Sequence, residues 1–141
     1  MPTLKAIIRE LNADSAITAK LSVFNFGAGD APAIFAGARP VEAAMKSIVV
    51  NMISGTDFGS NGLIGARVQH DVRVEDDKIR SEKDCREVAW SIWEKFHKKE
   101  IAVDGYSGGC PCWALSPQKI TGPDGFPGYL VQVTVWILKE M

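Results

Sequence analysis

The chain lacks most of the features that mark a dedicated binding or catalytic protein. It has no basic excess: 16 Lys and Arg stand against 17 Asp and Glu in 141 residues, a net charge of −1. Nucleic-acid recognition needs a basic patch or stripe, and this composition carries no such footprint. Long apolar runs are missing too. The longest are strand-sized, well short of the ~18 residues that a membrane-spanning helix requires. Residues 1–11 are amphipathic, with Lys5, Arg9 and Glu10, where a secretory signal would be continuously apolar. These absences predict a protein with no membrane partner, kept in the cytosol or assembled there into something larger.

Cysteine is scarce. Cys85, Cys110 and Cys112 are an odd set that cannot all pair within one chain, which argues against a disulfide framework. Cys110-Pro111-Cys112 brings two thiols close, but zinc pairs are usually spaced more widely and no second pair follows. Ordinary partly buried thiols are expected, with no metal. Only two histidines are present. His97 lies among lysines and reads as a solvated cation at a helix end. His70 lies on an apolar strand face and reads as a half-buried side chain with a hydrogen-bond partner. No Ser or Cys stands in a nucleophile elbow, and the glycines form no phosphate-binding pattern. Asp71, Glu75, Asp76 and Asp77 read as solvated acids, with no cleft in view. No catalytic residue and no cofactor is expected.

What is present is a set of periodic segments within a length that fits one domain, residues 1–141. Leu4, Ile7, Ile8 and Leu11 share a helical face, and Asp14-Ser15 can cap a second, shorter helix holding Ile17 and Leu21, so residues 1–22 read as helical. Residues 24–45 are punctuated by Gly and Pro and read as a long loop. Residues 46–54 are β-branched and read as a strand, and 55–65, with four glycines, as a turn or mobile hairpin loop. Over 66–75 the chain alternates, with Val68, His70, Val72 and Val74 on one face and Arg67, Gln69, Asp71 and Arg73 on the other. Ser81 and Asp84 open a helix over about 81–98, whose stripe is Cys85, Val88, Ala89, Ile92, Trp93 and Phe96. Pro111 and Pro117 confine any strand at 112–116 to an edge or a bulge. The last segment, 128–139, is the longest strand, with Tyr129, Val131, Val133, Val135 and Ile137 on its apolar face.

The order strand, strand, helix, strand, strand over 46–141 predicts an α+β fold. Its economical form is a small, mostly antiparallel sheet of about four strands with helices packed on one face. Two tryptophans resist assignment to the core. Trp90 falls off the dry stripe of its helix, and Trp136 shares the mixed face of the last strand with Leu130 and Leu138. Exposed tryptophans are enriched at protein–protein contacts.

The segments SIVVNMISG, ARVQHDVRVEDD with the helix start after it, and YLVQVTVWILKE resemble the small tail-terminator, or tail-completion, proteins of long-tailed bacteriophages and gene transfer agents. The likeness covers about residues 40–141, and 1–39 only in outline; 24–45 and Cys-Pro-Cys have no counterpart. The resemblance implies a structural virion protein and no enzyme. Such proteins form a ring, usually a hexamer, on the head-proximal end of the tail tube. The ring ends tube polymerisation and docks the head connector. The implied partners are further copies of the chain, the major tail tube protein and the connector, with DNA only passing through the lumen. Ring contacts join unlike surfaces. Trp90, Trp136, Leu130 and Leu138, with Arg67, Gln69 and Arg73, are the candidate interface. Asp57, Phe58 and Asn61 lie in the loop assigned to the tube or lumen. Alternatives are a head–tail connector or neck protein, and a small ligand-binding domain or enzyme using His70 and a nearby acid.

Overall fold

The structure, a computed structural model, describes residues 2–38, 46–60, 63–75, 82–106, 108–121 and 127–140. Helix α1 (Pro2–Asn12) is followed by the single turn α2 (Ser15–Thr18). Asp14 caps α2 by accepting the Ala16 N–H at 3.0 Å. Three short strands come next: β1 (Val23–Asn25), β2 (Asp30–Pro32) and β3 (Ile34–Ala36). Two long strands, β4 (Ser47–Ser60) and β5 (Leu63–Glu75), lead into helix α3 (Glu82–Phe96). Strands β6 (Glu100–Ala102), β7 (Gly109–Ala114), β8 (Gln118–Thr121) and β9 (Pro127–Glu140) complete the chain.

The fold-class expectation needs correcting. In place of about four strands, the main sheet has seven, ordered β3-β4-β5-β9-β7-β6 with β8 also on β9. It is mixed, because β3 runs parallel to β4, and strand residues outnumber helical ones. The added strands were hidden by their length. A three-residue strand shows no alternation to read, and β1, β2, β3 and β6 are all that short. Backbone bonds from distant segments hold them: Ile48 N–H donates to Ala33 O, and Gly37 N–H to Val50 O, each at 2.9 Å. Most of the segment read as a long loop is therefore structured through Ala36, while residues 39–45 lie outside the described part.

The glycine-rich 55–65 segment also departs from the expected loop. β4 and β5 stay paired past the glycines to Ser60 opposite Leu63, with a bulge between Met52 and Ser54. β7 and β8 share one edge of β9, opposite β5. Ala114 faces Val133 and Gln118 faces Leu130, so one extra residue bulges out at Leu115-Ser116-Pro117. Pro117, which has no N–H for the ladder, sits at this break.

One face of the sheet is dry. Ile48, Val50, Val68, Val72, Val74, Val131, Val133, Val135 and Ile137 pack with Ile7 and Leu11 of α1 and with Val88, Ala89, Ile92 and Phe96 of α3. Side chains outside the helices' apolar stripes anchor them. Thr3 Oγ1 and His70 Nε2 share a buried hydrogen bond of 3.0 Å between α1 and β5. Lys46 meets Asp84 at 2.7 Å, Lys119 meets Glu82 at 2.8 Å, and Lys20 meets Glu87. These lysines hold all three carboxyl groups below the usual carboxylate range by hydrogen bonding and then by charge. The pairs are solvent-exposed, so they orient α3 more than they stabilise it.

Candidate subunit interface

Period-2 alternation sends every second residue of β5 and β9 to the face away from the helices. Cross-strand register then pairs them: Arg67 with Trp136, Gln69 with Thr134, Asp71 with Gln132 and Arg73 with Leu130. Arg67 places its guanidinium carbon 5.5 Å from the Trp136 ring centroid, a cation–π contact. Gln132 donates to Asp71 at 3.2 Å. Trp113 of β7 stands opposite Thr134, which extends the row by one strand. Arg67, Gln69, Trp113, Thr134 and Trp136 thus line an open pocket of about 490 Å³ on the outer face. α1 packs on the opposite face, through Thr3 and His70, and does not cover Trp136.

The pocket continues round the β7 edge as a chain of rings. Trp90, 44% exposed on α3, meets Trp93 edge-on at 5.7 Å. Trp93 stacks on His97 at 4.6 Å, and His97 meets Trp113 at 4.3 Å. Trp113 itself is 48% exposed, as is Leu115. The inner members of this chain also complete the β7 ladder. Where β6 stops, Ala114 donates its N–H to His97 Nδ1 and accepts from Trp93 Nε1, both at 3.2 Å. Where a solvated side chain was expected, His97 is held by the β7 backbone and between two indole rings. Lys98, next along, has φ 58°. That left-handed backbone turns the chain from α3 into β6, and the Lys98 ammonium lies 5.5 Å from the Trp113 centroid.

The structure thus brings Arg67, Gln69 and Trp136 together, and Trp90 joins them through the ring chain. Leu130 and Arg73 lie further along the same outer face, and Arg73 is 3.7 Å from Glu75. Leu138 belongs to β9 and Asp57 and Phe58 to β4, with their side chains outside the described part; Asn61 is wholly outside it. Trp113 was missed. Its signal was the alternation Cys112, Trp113, Ala114, Leu115, in which two small inward residues leave two large apolar ones facing out.

Candidates for chemistry are placed elsewhere. His70 is fully buried, and desolvation lowers its pKa below 6.5. Cys110 and Cys112 point into the core, where burial raises both thiols, Cys112 to about 12. No group of three or more metal-ligating side chains occurs among the described residues. Nor is any described helix long and apolar enough to cross a membrane.

A curled, mostly-sheet fold, with seven strands of mixed direction, few helices and an aromatic outer face, is the class of fold at hand. No family model and no curated protein sequence matches the chain. Among solved structures, it is similar to a chain described as "Virion of native gene transfer agent (GTA) particle", with a TM-score of 0.68. The likeness covers 97% of this chain and 93% of that one at 14% sequence identity, so what the two share is the fold.

Proposed function

We propose that this chain is a structural virion protein, a tail terminator that assembles as a ring on the head-proximal end of a tail tube. The observation that carries the reading is the fold match to a gene transfer agent virion chain over nearly the whole length of both chains. The exposed surface supports it, because a ring subunit needs contact area for its neighbours, and Trp113 on β7, Leu115 just after it and Trp90 on α3 supply large apolar groups. The ring is a homohexamer. It meets the tube protein on one side and the head–tail connector on the other, and DNA passes through its lumen. The β4–β5 hairpin, with Asp57, Phe58 and Asn61, is assigned to the tube or lumen side. The role needs no catalysis and no cofactor.

The second reading, a connector or neck protein, draws on the same fold match, which names a particle and no position within it. Locating the chain in the particle separates the two. Gold-labelled chain in electron micrographs should mark the tail's head-proximal end, at one site per particle. Label confined to the head vertex, remaining there when tails are removed, would favour the connector. Label absent from particles would remove both.

A further inference from the structure

Among the described residues, two of the places where large apolar groups are exposed lie on opposite sides of the main sheet. One is the Trp113–Trp136 pocket with Leu115 beside it, at the β9–β7 side. The other is the β1–β2 hairpin at the β3 side. Its turn is tightly built: Asn25 Oδ1 accepts the Gly27 N–H at 2.8 Å, and Phe26 N–H donates to Gly29 O at 3.1 Å. Gly27 and Gly29, at φ 94° and 136°, allow that path. Phe24 anchors the hairpin to Phe35 at 5.2 Å, and Phe26 leans on both rings while staying 46% exposed. Val23 is exposed as well.

The two patches complement each other in charge. Between Lys20 and Arg39 the only charged residue is Asp30, which is exposed at the base of the turn. The pocket carries Arg67 on its wall and Lys98 over Trp113. Within one chain the two lie on different strands: β5, β9 and β7 form the pocket, while β4 stands between β5 and β3, to which Phe24 holds the hairpin. Contact between a surface and a different surface on the next copy is the arrangement that generates a ring.

We infer that the β1–β2 hairpin of one copy, led by Phe26 and Asp30, seats in the Trp113–Trp136 pocket of the next. This inference rests on the ring reading above and names both halves of its subunit contact. Phe26 fills the space between the two indoles, and Asp30 pairs with Arg67 and Lys98.

The test is disulfide trapping of the full-length chain, backed by charge exchange. Phe26→Cys and Trp113→Cys in one chain should give, on mild oxidation, an intermolecular ladder ending in a closed ring. Separately, Asp30→Lys and Lys98→Asp should each weaken self-association about tenfold or more, as expected of residues central to an interface. Combining them should restore most of the loss. Far-ultraviolet circular dichroism checks that each variant is folded. Wild-type rings, alone or on tube ends, with no trapping and no effect of either charge change would overturn the inference and leave the ring reading standing. A wild-type chain that forms no ring even with tubes present would remove both.

Discussion

Thr3→Val tests how α1 is held to the sheet. Thr3 is 3% exposed and His70 is wholly buried, and the 3.0 Å bond between Oγ1 and Nε2 joins elements 67 residues apart. Valine keeps the shape of threonine and deletes the hydroxyl. His70 Nε2 then loses its partner at a position closed to solvent, and Nδ1 already has none among the described residues. Leaving a buried polar atom unsatisfied costs about 1–3 kcal/mol. His70→Leu should also destabilise, because it strands the threonine hydroxyl. The double variant removes both polar groups, so it should be more stable than the sum of the single losses by about 1 kcal/mol or more. Urea unfolding of the four proteins at pH 7.5 measures the cycle. The same pair predicts a pH dependence. Desolvation lowers the native pKa of His70 below its ordinary 6.5, so as pH falls through 6.5 the unfolded chain binds a proton that the native one refuses. Stability is complete above this range and declines below it, by at most about 1.4 kcal/mol per pH unit, until the native pKa is reached. His70→Leu should lose that slope. Equal slopes in wild type and His70→Leu between pH 7 and 5.5, or a Thr3→Val cost below about 0.3 kcal/mol, would refute the reasoning.

Other perturbations separate fold from surface. Trp93→Phe keeps the ring stack but removes the donor to Ala114 O, and should lower stability by about 1 kcal/mol in urea unfolding. Lys98→Gly relieves a left-handed residue and should leave the fold unchanged or up to about 1 kcal/mol more stable; light scattering of the same variant should nevertheless show weaker self-association. Trp136→Ala should likewise weaken assembly while the monomer stays folded, whereas loss of the far-ultraviolet signal would make Trp136 part of the core. All three cysteines are buried, and Cys110 and Cys112 have raised pKa values. At pH 8 a thiol reagent should modify the native chain far more slowly than the chain in guanidinium.

Elements that bury a full stripe at their own period were legible from residues alone. α3 and β9 each repeat an apolar residue often enough to identify the element and its inner face, and so does β5 over 66–75. The strands that turned an expected small antiparallel sheet into a seven-stranded mixed one were not. β3 and β6 are three residues long and exist because a neighbouring strand, β4 or β7, offers their backbone hydrogen bonds. Glycines misled at 55–60, where pairing with β5 outweighed a composition that favours turns. At the surface, the alternation of β5 and β9 was enough to set Arg67, Gln69 and Trp136 on one face. Trp113 needed the register of β7, and the acceptor role of His97 needed a strand 17 residues away. A pattern within one segment reports which face is dry, while joining faces into a surface requires the pairing between segments.

In the proposed role this chain ends tail-tube growth, and tail length measures that directly. Disrupting the gene in its native genome and imaging the particles should yield tubes of broad, extended length with no heads attached, and supplying the intact chain should restore uniform tails. Tails of normal, uniform length joined to heads in the absence of this chain would contradict the account.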